Sequence, residues 1–287
     1  MRDIRRRIKS VTSTQKITKA MKMVSASKLR KAQSSLMAAR PYSDKVQEVM
    51  DHILSGGEYE NPFLIPHREV KKVLFIVLAG DRGLCGGYNM NVLRYAEHQI
   101  QALPEGVAHG LVLVGSKSKD YFRTRPYQVE EVFTNIGDCP SVSQGRVLSD
   151  YAIKKYLAGE VDEVHMIYSE FISVISQEPK VAQVLPIPNT AQAVEEEENH
   201  EQTEYIFEPE EAAILDMILP KYVDSTIYRL LLEAKAGEHG ARMTAMGSAT
   251  DNAYELIDKL TLSLNRARQA AITTEISEIV GGAAALE

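Results

Sequence analysis

Several features that would point to a membrane protein, a metalloprotein or an enzyme are missing from this sequence. No apolar run approaches the roughly 18 residues that a membrane-spanning helix needs. Two cysteines, Cys85 and Cys139, lie far apart without metal-type spacing, which suits a reducing cytoplasm and predicts that neither forms a disulfide. The 7 histidines are scattered, and no Ser/His/Asp or paired-carboxylate arrangement can be argued. The sequence therefore predicts no catalytic residue, no metal site and no cofactor.

The first forty residues also lack glycine and proline, and they carry 12 lysines and arginines against one acid, Asp3. This composition predicts a long, strongly basic helix. Its apolar residues recur mostly at gaps of three and four and form a narrow stripe: Ile4, Ile8, Val11, Ile17, Met21, Val24, Leu29, Ala32 and Leu36. Helical periodicity resumes after Pro41 and stops at Gly56 and Gly57, so we expect a bend at that proline. Such a stripe predicts a partner helix.

The partner is predicted at the other end of the chain, from Glu210 to Ile279. Small and apolar residues repeat there at gaps of three and four: Ala249, Ala253, Ile257, Leu260, Leu264, Ala267 and Ala271. Residues 208–287 carry 7 bases and 13 acids, a balance of −6, against +11 for residues 1–40. Opposite charge favours pairing, although Pro220 should bend the second helix or mark a boundary. The two ends of the chain are therefore predicted to form a long antiparallel coiled coil.

Between these helices the sequence alternates between short apolar runs and helical segments. Strands are predicted at 70–79, 109–115, 161–171, 179–188 and 203–207, with helices at 88–102, 116–123 and 141–158. The clustered acids of 195–201 predict an exposed loop. The predicted fold class is thus α/β, with an inserted Rossmann-like open α/β domain. The predicted domains are 1–56 and 209–287 for the two long helices and 68–208 for the α/β domain.

A glycine-rich turn, AGDRGLCGGYN at 79–89, follows the first strand and precedes a helix, the position of a phosphate loop in nucleotide-binding folds. Its glycines satisfy neither the G-x-G-x-x-G nor the G-x-x-x-x-G-K-[ST] spacing. We therefore predict that they serve tight turns and close helix-to-sheet packing. Cys85, near the helix start, is expected to be a buried structural thiol.

Longer strings resemble one known family, and they span the chain in order: TQKITKAMKMVSASKLRKAQ, DRGLCGGYN, ARMTAMGSATDNA and LNRARQAAITTEISEIVGGAAAL. They closely resemble the gamma subunits of F-type, proton-translocating ATP synthases. The resemblance implies a central rotary shaft that couples the membrane rotor ring to sequential conformational changes of the catalytic beta subunits. It implies a subunit without catalysis of its own, at one copy per complex. The implied partners are the alpha/beta hexamer, the epsilon subunit and the c-subunit ring, at the cytoplasmic face of a bacterial plasma membrane.

The resemblance also implies which residues contact the beta subunits. Near the tip these are Arg268 and Gln269. A lower contact, facing an acidic segment of beta, would use Lys16, Lys19, Met21, Lys22 and Arg82. Arg242 is a further candidate, with a pair inside the coil as its alternative role. For each of them, a solvated or intra-coil side chain is the competing interpretation.

The sequence offers two alternative classes of function. A basic helix of this density could bind nucleic acid or an anionic membrane surface. The net charge of −6, the acidic partner helix and the absence of a stacking motif argue against that function. A Rossmann oxidoreductase would need the glycine spacing that the turn at 79–89 lacks.

Overall fold

The computed structural model describes residues 1–55, 61–65, 69–188 and 211–284. The chain divides into two compact units. We call Met1–Ser25 with Arg242–Glu287 the coil unit, and Ala26–Ala241 the sheet unit. The predicted stop at Gly56 and Gly57, the loop at 195–201 and the strand at 203–207 lie outside the described residues.

Five helices and five strands make up the described chain. In order they are α1 Arg2–Ser55, β1 Lys72–Leu78, α2 Tyr88–Gln101, β2 Ala108–Val114, α3 Ser116–Phe122, β3 Val129–Phe133, α4 Val142–Leu157, β4 Glu163–Phe171, β5 Gln177–Leu185 and α5 Glu211–Ala284. The strands form one sheet in the order β3-β2-β1-β4-β5. All neighbours are parallel except β4 and β5, which form an antiparallel hairpin. The open α/β architecture predicted from the alternating runs is confirmed.

The sheet is covered on both faces because alternate residues of its central strand point to opposite sides. Leu74, Ile76 and Leu78 of β1 pack in a core with α4 and with the parts of α1 and α5 that belong to the sheet unit. Val73, Phe75 and Val77 pack in a second core with α2 and α3. This two-faced burial explains why β1 reads as an unbroken apolar run.

One strand of the sheet departs from the predicted elements, and the departure has a physical cause. Strand β3 was not predicted, because VEEVF carries two acids and is only partly buried at the sheet edge. Its Glu130 is held by Lys72 at 2.6 Å and Lys155 at 3.6 Å. Neither Pro41 nor Pro220 ends a helix, since both lie inside one. The bend at Pro41 stays a prediction.

Candidate functional site

We call the less exposed positions along which α1 and α5 face each other in the coil unit the seam. On α1 the seam is more polar than the predicted apolar stripe. On α1 the less exposed positions are Ile4, Ile8, Val11, Thr12, Gln15, Thr18, Met21 and Ser25. Ile17 and Val24, which the apolar pattern placed in the stripe, are 57% and 53% exposed instead. Gaps of four and three link Val11, Gln15, Thr18 and, through Lys22, Ser25, so the heptad continues through polar residues. The prediction failed there because it followed hydrophobicity alone.

The facing helix keeps the predicted pattern. All seven predicted positions from Ala249 to Ala271 are less exposed than most residues between them. Thr250 lies in the same seam, and its hydroxyl is 2.8 Å from that of Thr18. The Thr18 hydroxyl accepts from Thr250 and donates to the carbonyl of Gln15 at 3.1 Å. The carbonyl of Met246, at 2.7 Å, is a second acceptor within reach of the Thr250 hydroxyl.

Lys22 faces the seam at a glycine. A Cβ added to Gly247 would meet the Lys22 Nζ, Cε and Cδ atoms at 3.4–3.8 Å, so the lysine stem runs across the glycine. The stem of a lysine can cover such a surface while the ammonium group stays in water. The structure thus gives Lys22 a packing partner inside the coil, as the alternative interpretation of this residue predicts.

The other residues implied by the resemblance divide between the two units. In the coil unit, Lys16, Lys19, Arg268 and Gln269 are exposed, and Met21 is partly buried. Arg242 of the same unit is 8% exposed, so its guanidinium is not on an open surface. Arg82 belongs to the sheet unit and is exposed. Its carbonyl accepts a hydrogen bond from the Asn89 amide at 3.2 Å.

The end of α5 is apolar and open. Every residue described from 272 to 281 is exposed. Four of them are large and apolar: Ile272, Ile276, Ile279 and Val280, with exposed fractions of 47% to 71%. These four side chains lie within nine residues of one another and have no cover from the described part of the chain. The coil unit therefore offers exposed lysines on α1 and an uncovered apolar end on α5.

The glycine-rich turn of the sheet unit is filled by the chain itself. The Gly80 N–H donates to the Asn89 side chain at 2.8 Å, and a Cβ there would lie 2.9 Å from the Glu238 carboxylate. Gly86 has φ 58°, which a tight turn requires, whereas Gly83 has no neighbour within 4 Å of an added Cβ. Close packing is confirmed for Gly80 and the turn for Gly86. Cys85 is buried, as predicted, and both cysteines are free thiols.

The Asp81 carboxylate lies at the start of α3, where the free backbone N–H groups of a helix favour a negative charge. Asp81 accepts hydrogen bonds from the backbone N–H and hydroxyl of Ser116, both at 3.0 Å, and from the Asn135 N–H at 3.1 Å. Burial alone would raise the pKa of Asp81, but these hydrogen bonds and the charge of Lys235 lower it overall. The Asp81 carboxylate thus places a negative charge of the chain itself at the carboxyl ends of the strands.

A buried ion pair lies beside that edge and was not predicted. Lys235 Nζ and Glu238 Oε2 of α5 are 2.9 Å apart, with side chains only 10% and 6% exposed. The neighbouring His239 contacts the Asp138 carbonyl at 2.9 Å, and Lys28 pairs with the Asp138 carboxylate at 2.7 Å. The sequence signal was the string AKAGEHGA, which places three ionisable residues and two glycines inside a helix.

Two features that would point to other functions are missing from the described ranges. No helix there has both the length and the apolar character that crossing a bilayer requires. No group of three or more His, Cys, Asp or Glu residues in those ranges could hold a metal ion.

Comparison with known proteins decides the family. The family model described as ATP synthase matches residues 1–286. An ATP synthase gamma chain of Desulforamulus reducens is 51% identical over 286 residues, covering 100% of this chain and 99% of that one. The chain belongs to the ATP synthase gamma chain family. A gamma chain of Pelotomaculum thermopropionicum is 50% identical over 288 residues, with 100% and 99% covered.

Solved structures agree with this family. The central stalk and c-ring structure of the Tetrahymena thermophila mitochondrial ATP synthase contains a chain 27% identical to this one. It matches with a TM-score of 0.59 over 81% of this chain and 99% of the other. A rotor chain of the Euglena gracilis mitochondrial enzyme, 18% identical, shares the fold with a TM-score of 0.66 over 94% and 98%. As a gamma chain, this protein is a non-catalytic subunit of ATP synthase and its central rotary shaft.

Proposed function

We propose that the coil unit works as an axle inside an alpha/beta hexamer, and that the sheet unit is the foot that receives torque from an epsilon subunit and a c-subunit ring. The predicted domains 1–56, 68–208 and 209–287 keep each long helix in one piece, whereas the two units divide α1 after Ser25 and α5 before Arg242. One copy would serve each complex, at the cytoplasmic face of a bacterial plasma membrane. No nucleic acid is involved in this proposal.

The exposed apolar end of α5 carries the proposal. Ile276, Ile279 and Val280 are all more than half exposed, and none of them is aromatic or charged. Enclosure by a sleeve of partner subunits would remove this surface from water, at about 25 cal/mol per Å². Smooth aliphatic side chains give little directional preference, which suits an end that must turn against three equivalent neighbours.

The basic face of α1 supplies the second contact. Lys16 and Lys19 are exposed on a helix whose first forty residues carry a balance of +11. An acidic segment on each beta subunit would be attracted to this face in turn. Since Lys22 packs on Gly247, we assign the outward contact to Lys16 and Lys19, with Lys22 contributing only its ammonium group. Arg82, Arg242, Arg268, Gln269 and Met21 remain proposed contacts on the strength of the resemblance alone.

Coupling follows from asymmetry. A shaft that presents different side chains to each beta subunit stabilises a different conformation in each, so its rotation changes their nucleotide affinities in sequence. The chain needs no nucleotide site of its own for this. We expect calorimetric titration of the isolated chain with ATP to show no micromolar site, because the turn at 79–89 lacks the glycine spacing of a phosphate loop.

A covalent tether tests the proposal. We would replace Lys19 by Cys, place a second Cys in the facing acidic segment of beta, and remove Cys85 and Cys139 so that only the new pair can oxidise. Steady-state ATP hydrolysis should fall on oxidation and recover on reduction, because a tethered shaft cannot complete a turn. Undiminished hydrolysis in a fully cross-linked complex would show that α1 does not move against beta.

A control without the tether tests whether the cysteine substitutions or the oxidant damage the enzyme. The same Lys19→Cys variant, paired with a beta subunit that lacks the second Cys, should hydrolyse ATP equally before and after oxidation. A fall in that sample would trace the loss to oxidation rather than to blocked rotation.

A further inference from the structure

Two glycines inside α5 are unfavourable for the helix that contains them. Gly237 and Gly240 lie in the middle of Glu211–Ala284, where each glycine costs about 1 kcal/mol relative to alanine. Two such losses of helix stability within about one turn suggest that the missing side chains allow a neighbouring group to come close to the helix. The neighbours of these two positions show what the helix gains.

An aromatic ring fills each gap. A Cβ on Gly237 would lie 3.1 Å from Cε2 of Tyr88, the first residue of α2. A Cβ on Gly240 would lie 3.1 Å from Cε2 of Phe171, the last residue of β4. The rings therefore reach the helix backbone itself, closer than they could approach any other residue type.

A hydrogen bond holds the first of these rings in place. The Tyr88 hydroxyl donates to the carbonyl of Ala234 at 2.6 Å in a buried position. Ala234 lies about one turn before Gly237, the glycine against which the ring packs. The Phe171 ring is positioned by the sheet, because Phe171 is the last residue of β4.

Polar groups close the same interface on the side of the glycine-rich turn. The Glu238 carboxylate lies so close to Gly80 that an added Cβ would be 2.9 Å away, and Lys235 holds that carboxylate at 2.9 Å. Removing one member of a buried, paired charge is strongly unfavourable, so this pair resists being pulled apart. Close-packed interfaces of this kind do not deform continuously.

From this arrangement we propose that Tyr88 and Phe171, seated on Gly237 and Gly240, form the clamp through which torque passes between the sheet and α5. The proposal rests on the proposed function, because only a rotor carries torque. A flat apolar contact would slide under a sideways load, whereas rings inserted into gaps of the backbone must climb over neighbouring side chains before the helix can turn. Other α/β folds bind nucleotides at the carboxyl edge of the sheet, whereas here that edge packs against helix α5.

The test compares two activities of the assembled ATP synthase in sealed vesicles: ATP hydrolysis and ATP-driven proton pumping. The double variant Gly237→Ala with Gly240→Ala fills both gaps and displaces the rings. Hydrolysis should stay close to wild type, because it needs only the axle within the hexamer. Proton pumping per ATP hydrolysed should fall severalfold, because torque is lost at the clamp. A ratio equal to wild type in the assembled variant would overturn the proposal.

Gly83→Ala is the control, since an added Cβ there meets nothing within 4 Å. It makes the same chemical change in the sheet unit and should leave the ratio unchanged. A fall equal to that of the double variant would also overturn the proposal, because the effect would then not depend on the two rings.

A single-atom variant decides the question if the double variant does not assemble. Tyr88→Phe keeps the ring and removes the hydroxyl that bonds Ala234, so the ratio should fall below that of Tyr127→Phe. Tyr127 is the control because its hydroxyl makes only a long, exposed contact of 3.4 Å with Gln101. Equal ratios would refute the clamp. If wild type itself hydrolyses ATP without pumping, the proposed function fails, whatever the variants do.

Discussion

The sheet unit encloses two cores of fully buried apolar side chains, whereas Met246 and Ala253 are the only buried apolar residues among the described residues of the coil unit. Ile76 and Leu113 in the sheet are no more than 1% exposed, while Leu262 and Ile276 on α5 are 60% and 56% exposed. The seam of the coil unit is also built from threonine, glutamine and serine as much as from leucine. The difference indicates that the sheet unit is stable through its own core, and that the coil unit obtains much of its stability from partners.

Hydrogen exchange should show this contrast as the largest effect. In the isolated chain we expect amides of the coil unit to exchange orders of magnitude faster than those of β1, β2 and β4, because local opening costs little where few apolar contacts are lost. Assembly with the alpha/beta hexamer should slow exchange in the coil unit alone. Equal protection of both units in the free chain would break the comparison.

Truncation of one isoleucine in each unit tests the comparison of the sheet unit with the coil unit through their stabilities. Ile76→Ala empties a fully buried site in the core of the sheet and should cost about 2–5 kcal/mol of unfolding free energy. Ile257→Ala, at a partly exposed seam position, should cost about 1 kcal/mol or less in the isolated chain. Urea unfolding followed by exchange at amides of each unit measures both. Similar costs would mean that the seam is packed as well as the sheet.

Acid should act on the sheet unit through Asp81. Its pKa is lowered from the ordinary 3.8, so its contribution to stability is complete above that pH and is lost as pH falls through the lower, folded value. Asp81→Asn should cost about 1–3 kcal/mol near neutral pH, because it weakens charge-assisted hydrogen bonds at the start of α3.

Measuring the same pair of proteins at lower pH provides the control for this prediction. The difference in unfolding free energy between wild type and Asp81→Asn should shrink as the pH is lowered below 3.8, since wild type then loses the same charge. A difference that stays constant down to the acid transition would assign the effect to packing of the amide rather than to the carboxylate.

Features that depend on residues close in sequence could be predicted, and features that depend on residues distant in sequence could not. The strands and helices of the sheet unit were predictable because β1 and β2 are continuous apolar runs between turn residues. Strand β3 was missed because its acids become acceptable only beside Lys72 and Lys155, which lie far away in sequence. The seam residues Gln15 and Thr18 were missed because a polar residue at a buried heptad position has no signature without its partner.

The clamp could not be predicted for the same reason. Gly237 in the sequence is only an unfavourable residue in a helix, and Tyr88 is only an aromatic residue at the start of another. They are separated by more than half of the chain, and their contact exists only once the sheet has brought the edge of β1 to α5. The recognisable family strings, by contrast, gave the function directly, because they are long and occur in order.

The smallest expected effect concerns the polar seam. Thr18→Val and Thr250→Val each remove one of two hydroxyls that lie 2.8 Å apart across the coil. Either single variant should cost about 0.5–1.5 kcal/mol, because the hydroxyl that remains still has a carbonyl of its own helix to bond. The double variant replaces both partners by apolar groups of the same shape and should recover most of that loss. Exchange rates of seam amides in the assembled complex measure all three, and strictly additive losses would show that the two hydroxyls do not act as a pair.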